Sequence, residues 1–216
     1  MKLLRTLADN TRAGSAANRM RRRRFAVFQG LLDALPRPLR ILDVGGTRSF
    51  WEQMGPAGME GIEVVLLNLQ APPADRGDAR DMRRYQDGEF DVVFSNSVIE
   101  HVGDYADQRR MAAEVRRVGK RYFVQTPNKH FPLEPHFLFP FYQFLPLQVR
   151  AWLIGHFNLG WRKRASSPQQ ALEQASSVRL LTRSELGRLF PGGTILDEKL
   201  WGLTKSFMVH GGFSAA

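Results

Sequence analysis

Apolar residues return along this chain in two rhythms. Between 16 and 35, Phe25, Phe28, Leu32 and Leu35 recur at helical spacing behind a run of arginines, and Pro36 and Pro38 close the segment. That pattern predicts an amphipathic helix. Four short, continuous apolar runs follow: LRILDV at 39–44, IEVVLLNL at 62–69, EFDVVFSNSV at 89–98 and RYFVQT at 121–126. Runs this short, bounded by glycine, proline or polar turns, predict strands buried on both faces. Between the last two, Met111, Val115 and Val118 share one face of a helix over about 104–118. Asp104 and Asp107 sit in its first turn and Arg116 and Arg117 in its last, as the helix dipole favours.

Strands alternating with helices predict a mostly parallel α/β sheet with helices on both faces. Near the end, TRSELGRLF at 182–190 opens on a capping box, Thr182 and Glu185, and stops at Pro191. TILDEKLW at 194–201 and TKSFMVHG at 204–211 then have only Gly202 and Leu203 between them, which predicts a terminal antiparallel hairpin. Two places break the rhythm. Only LQAPPADR separates Asn68 from GDARD at 77–81. A parallel crossover needs about 10–12 residues, so one edge strand and its helix are predicted to be reduced. The stretch 127–180, aromatic and proline-rich first and ASSPQQALEQASS later, is too long for a bare loop and predicts a helical, aromatic insertion acting as a lid.

Composition narrows this further. The 216 residues, 43% hydrophobic and 24% charged, suit one globular domain over 1–216. There is no cysteine, which excludes disulfides and thiolate chemistry. MKLLRTLADNTRAGS lacks the apolar core of a signal peptide, and FPLEPHFLFPFYQFLPL at 131–147 carries four prolines and Glu134, so a cytoplasmic protein is expected. The net charge of +10 favours anionic partners: nucleic acid, anionic lipid or a phosphorylated substrate. RMRRRRF at 19–25 and WRKR at 161–164 hold much of that excess, and solvated helix faces explain them equally well.

Chemistry enters at ILDVGGTRSFW, 41–51, where a buried run ends in an aspartate and two glycines before a helix. Glycine lets backbone approach a ligand where a side chain would collide, and ligands of open parallel sheets bind beyond the carboxyl ends of the strands. The ordered series LDVGG, LLNL, GDARD and FDVVFSNSVIEHV resembles class I S-adenosylmethionine-dependent methyltransferases, especially the small type 11 set, over about 39–126. The resemblance implies a Rossmann-like fold whose insertion follows the fifth strand of that family. It implies S-adenosylmethionine as cofactor, with Asp43, Gly45, Gly46 and Thr47 around its methionine part and Asn68 and Leu69 at the ribose. It places Asp78 and Ala79 at the adenine, and Asn96 and Ser97 close to the sulfonium. DVGGTRS departs from the family's glycine pattern at Thr47 and Ser49, and Asn68 stands where that family has an acidic residue.

Methyl transfer needs an oriented acceptor and a route for its proton. IEHV puts Glu100 and His101 beyond the strand at 89–98, and NKHFPLEPH adds His130, Glu134 and His136; His101 and His136 are the candidate catalytic pair. His130, Glu134 and His136 have metal-ligating chemistry, but prolines exclude a regular helix there and no metal is expected. The aromatics of 128–164, with WRKR beside them, suit closure over a hydrophobic acceptor or contact with an anionic membrane surface. The expected function is methyl transfer to a small or lipid-linked acceptor, at oxygen, since the amino-methylating NPPY motif is replaced by SNSV. RNA methylation and a non-catalytic S-adenosylmethionine-binding protein are the alternatives. The oligomeric state is left open.

Overall fold

A computed structural model of the protein describes residues 15–55, 59–69, 72 and 75–213. The segment read for a signal peptide lies almost wholly outside them. Six strands make one sheet: β1 (Leu39–Val44), β2 (Ile62–Leu67), β3 (Val92–Asn96), β4 (Tyr122–Pro127), β7 (Thr194–Leu200) and β8 (Leu203–Gly211), in the order β2-β1-β3-β4-β8-β7. The first four are parallel; β8 runs antiparallel to both β4 and β7. The chain leaves β1 for β2 on one side and returns to β3 on the other. The topological switch point therefore falls between β1 and β3, where an open sheet leaves a crevice at the carboxyl ends.

Both faces are covered. On one, α1 (Ala16–Asp33) and α2 (Arg48–Met54) bring Phe25, Phe28 and Phe50 against Ile41, Phe94 and Phe123. On the other, α3 (Tyr105–Val118) and α6 (Arg183–Leu189) bury Met111, Val115, Leu186 and Leu189 over Leu42, Val93 and Val124. The capping box expected at Thr182 is present, and the first-turn acids of α3, expected only as dipole charges, form a second. Asp104 and Asp107 form a capping box on α3, and Thr182 and Glu185 form one on α6. The reduced edge is also present: among the described residues, the only parallel pairing beyond β2 is a single bridge between Asn68 and Arg76.

Two expectations need correction. Trp201 is not in a strand; it lies in the hairpin turn at φ 53° with Gly202 at φ 80°, because a two-residue turn needs both in the left-handed region. The arginine run on α1 is not only a solvated face. Arg22 and Arg23 are exposed, but Arg24 is buried, because its helical phase is that of Phe25 and Phe28.

Residues 128–181 form a cap with its own small core. A two-residue ribbon, β5 (Leu133–Glu134) with β6 (Phe139–Pro140), leads to α4 (Leu147–His156) and α5 (Pro168–Ser176). Phe137, Tyr142, Ile154, Leu159, Ala171 and Ala175 are buried together, separate from both sheet cores. The cap is tied to the sheet domain by Asn128 N–H to Lys205 O at 2.9 Å and Arg179 N–H to Glu100 O at 2.8 Å.

Candidate active site

The carboxyl end of β1 carries Asp43, 1% exposed, beneath the glycine turn. A Cβ on Gly46 would sit 1.6 Å from Asp43 Oδ2, and one on Gly45, at φ +80°, would sit 2.3 Å from a Val98 methyl. Both positions are glycine because the turn folds directly over a buried carboxylate and against β3's exit. The indole N–H of Trp51 donates to Asp43 Oδ2 at 2.7 Å. Burial raises the Asp43 carboxyl to about 7, while Trp51 and the charge of Arg21 act in the opposite sense. Trp51 was not assigned from sequence; its signal was a tryptophan one helical turn after the glycines.

Asn68, at the end of β2, turns back to the same loop. Its amide donates to Gly46 O at 3.1 Å and Gly45 O at 3.3 Å. A carboxylate there would face two carbonyl oxygens, which gives a local reason for asparagine. Leu69 is 60% exposed and Thr47, the N-cap of α2, is exposed with its hydroxyl 3.2 Å from that of Ser49. Asp78 is gripped by Arg80, Nε to Oδ1 at 2.9 Å and Nη2 to Oδ2 at 2.7 Å, and this bonding holds its carboxyl below the usual range. Ala79 is buried in the sheet core beside it.

At the end of β3, Asn96 accepts from Arg24 Nη1 at 3.1 Å, and Arg24 Nε lies 3.2 Å from Glu198 on β7. Ser97 adopts φ 59° and its hydroxyl donates to Gln125 at 2.8 Å. Arg24 and Glu198 were not singled out from sequence, since 174 positions separate them. The chain then passes through a 3₁₀ turn, Ile99–His101, which delivers Glu100 inward and His101 outward.

His101 and His136 meet there, with ring centroids 4.7 Å apart and nearly perpendicular. His136 Nδ1 lies 2.6 Å from Glu134 Oε1, and Glu134 Oε2 accepts from Phe137 N–H at 2.7 Å. Burial acts to lower the His136 pKa, but Glu134 and then Glu100 outweigh it and the net direction is up. The crowded side of the His101 ring, and the positive charge of His136, push His101 the other way. Glu100 is fully buried, accepts from Thr126 Oγ1 at 3.0 Å and is raised by burial. His130 does not join this group; its ring lies beside Phe144. A cavity of about 460 Å³ opens between the cap and the start of α3, lined by Lys129, Glu134, Phe137, Tyr142, Gln143 and Arg150 among others.

Residues 59–122 match the family model described as a methyltransferase domain. The fold is that of a class I methyltransferase. Among solved structures, the CurJ carbon methyltransferase is 13% identical with a TM-score of 0.53, covering 87% of this chain and 53% of that one. The DszA carbon methyltransferase is 11% identical with a TM-score of 0.56, covering 96% and 57%. The 1,6-didemethyltoxoflavin-N1-methyltransferase of Burkholderia thailandensis, with bound 1,6-didemethyltoxoflavin and S-adenosylhomocysteine, is 14% identical with a TM-score of 0.50, covering 88% and 76%. This chain spans little more than half the length of the first two. No curated protein matches it. Asp43, Gly45, Asn68 and Asn96 all lie at the carboxyl ends of the adjacent strands β1, β2 and β3, and His101, beyond β3, meets His136 of the cap. Among the described residues, no helix is long and apolar enough to cross a membrane.

Proposed function

We propose that this protein transfers a methyl group from S-adenosylmethionine to an oxygen of a small acceptor held beneath the cap. The observation that carries this reading is the meeting of two histidines from separate segments, His101 after β3 and His136 in the cap, at the carboxyl end of a methyltransferase sheet. The cofactor's methionine end fits the β1 turn: Gly45 and Gly46 keep backbone clear, and the buried Asp43 carboxylate gains a partner from a ligand ammonium. Asn68 and Leu69 would flank the ribose, Asp78 and Ala79 the adenine, and Thr47, Asn96 and Ser97 the remaining walls. When bound, the cofactor supplies an electrophilic methyl on a sulfonium.

The chain's own residues do the rest. His101 and His136 meet the acceptor hydroxyl and ease the release of its proton. Glu134 fixes the orientation of His136. The cavity holds the acceptor body against Phe137 and Tyr142, and the cations of Lys129 and Arg150 favour an acceptor that carries an anionic group. Cap and sheet act as parts of one domain over 1–216, with His101 left accessible at the transfer point. Two of the similar structures are carbon methyltransferases and one acts at nitrogen by name, so oxygen rests on this proton-handling pair.

The test is methyl transfer from radiolabelled S-adenosylmethionine to a panel of hydroxylated carboxylic acids and phosphates, with product mass spectrometry. His101→Ala should lower turnover by about 10²–10⁴, with S-adenosylhomocysteine binding within threefold of the parent. Wild-type turnover in that variant, or methyl found on carbon or nitrogen, would refute the assignment. A second observation favours a lipid-linked acceptor. Phe141, Phe144, Trp152, Phe157 and Trp161 are all about half exposed on the cap, next to Lys163 and Arg164. Flotation with anionic but not neutral liposomes is the expected result, and absence of flotation with either removes that variant.

A further inference from the structure

Glu100, His101 and His136 each offer one ligand atom, and the three atoms lie within 4.8 Å of one another. We propose that this trio binds a divalent first-row transition metal, zinc or cobalt rather than magnesium or calcium. It is a different set from His130, Glu134 and His136, the residues whose chemistry stood out in the sequence.

Three independent features support it. Glu100 is fully buried, and although Oε2 accepts from Thr126, Oε1 has no hydrogen-bond partner among the described residues. A buried carboxylate oxygen without a donor is costly, and an adjacent cation removes that cost. Secondly, the two imidazoles are held from behind. A carboxylate can only accept, so the 2.6 Å contact to Glu134 makes His136 Nδ1 the protonated nitrogen and leaves Nε2 for the cluster. The Ser177 backbone carbonyl acts on His101 in the sense that favours a ring proton facing it. Carboxylate and carbonyl are the usual outer partners of metal-bound histidines, where they fix the tautomer and the ring. Thirdly, two nitrogens and one oxygen suit borderline ions, whereas magnesium and calcium take oxygen sets.

The spacing is reachable. Bonds of about 2.1 Å in tetrahedral geometry put ligand atoms roughly 3.4 Å apart. The trio therefore contracts by no more than about 1.4 Å, and the exposed His101 side chain can supply most of that. Three protein ligands leave a fourth position, toward solvent, for an acceptor oxygen. There the ion would act as a Lewis acid on the hydroxyl. That role rests on the methyl-transfer reading; the existence of the site does not.

The experiment is titration of chelator-stripped full-length protein with Co²⁺, read by visible d–d absorption, and with Zn²⁺ by competition and metal analysis. One equivalent should bind, excess Mg²⁺ should not compete, and His101→Ala, at an exposed position that spares the fold, should weaken binding at least tenfold. Glu134→Gln should weaken it about 10–100-fold while leaving all three ligands in place. Sub-stoichiometric binding, or unchanged affinity in His101→Ala together with His136→Ala, would overturn the site. Methyl transfer is assayed on the same samples. Full turnover by stripped protein removes the ion's catalytic role and leaves methyl transfer standing. A stoichiometric ion with no turnover on any acceptor leaves the site standing and counts against methyl transfer.

Discussion

The sheet domain and the cap solve burial differently. Beneath α1 and α2, Phe28 lies within 4.6 Å of Phe94 and 5.3 Å of Phe123 by ring centroid, with Phe25 and Trp51 around it, and it is wholly buried. In the cap, Phe137 and Tyr142 stack at 4.3 Å over the small face of Ala171 and Ala175, while five other aromatics stay about half exposed. Buried polar atoms without a hydrogen-bond partner among the described residues occur in both, Arg24 Nε, Glu100 Oε1, Arg121 Nε and Glu198 Oε1 in the sheet domain and Tyr142 Oη, Gln143 Oε1, Arg150 Nε and Gln174 Oε1 in the cap, but only in the cap do such residues, Tyr142, Gln143 and Arg150, line the cavity. The sheet domain is finished as a packed object. The cap surrounds a cavity, so damage to the first should appear as lost stability and, if the proposed acceptor binds there, damage to the second as lost turnover.

The largest expected effect breaks the sheet side. Phe28→Ala should cost about 3–5 kcal/mol in chemical unfolding, since a large buried ring leaves a cavity that the neighbouring aromatics fill only partly. A loss under 1 kcal/mol would mean that this face is not the main core. Next is Gly46→Ala, whose methyl would displace the Asp43 carboxylate. S-adenosylhomocysteine affinity by calorimetry should fall about a hundredfold, or roughly 3 kcal/mol, with secondary structure by circular dichroism unchanged. Retained affinity would move the cofactor away from the β1 turn.

The Asp43 carboxyl, raised to about 7, gives a pH signature with a definite sign. Its ionisation is harder in the fold than in the unfolded chain. Its stability contribution is therefore largest when protonated and is lost as pH rises from the ordinary carboxylate range through about 7. Binding of a cationic methionine group runs the other way, because only the ionised form holds it. Affinity should fall by up to about tenfold per pH unit below the midpoint, and Trp51→Phe, which removes a donor to the carboxylate, should move that midpoint upward. A flat profile between pH 5.5 and 8 would separate Asp43 from the cofactor. The smallest effect belongs to the cap. Tyr142→Phe deletes a hydroxyl with no partner among the described residues, so thermal stability should be unchanged or slightly raised, within about 1 kcal/mol. A loss beyond that would show the hydroxyl to be bonded in solution.

The same contrast explains what could be read from the sequence. Strands such as 39–44, the capping box at Thr182, the first-turn acids of α3 and the glycine turn are local patterns, each contained in a few consecutive residues. The side chains that complete the site are paired across the chain: Arg24 with Asn96 and Glu198, Asn68 with Gly45 and Gly46, Glu100 with Thr126. Periodicity carries no information about such partners. The cap was legible as an insertion because of its length and prolines, but its order of ribbon, 3₁₀ turn (Tyr142–Phe144) and two helices depends on contacts such as Gly160, where a Cβ would lie 2.5 Å from the Phe137 backbone.

The link from Arg24 on α1 to Glu198 on β7 also sets an order of events during synthesis. β4 pairs with β8 along its whole length, and Asn96 is steadied by an arginine that itself leans on β7. A nascent chain whose residues 194–211 are still inside the ribosome has the glycine turn, both histidines and the cap, but not the strands that hold β4 and Arg24 in place. The crevice is thus completed only once 194–211 has emerged, and until then the growing polypeptide has no finished pocket in which to trap cofactor.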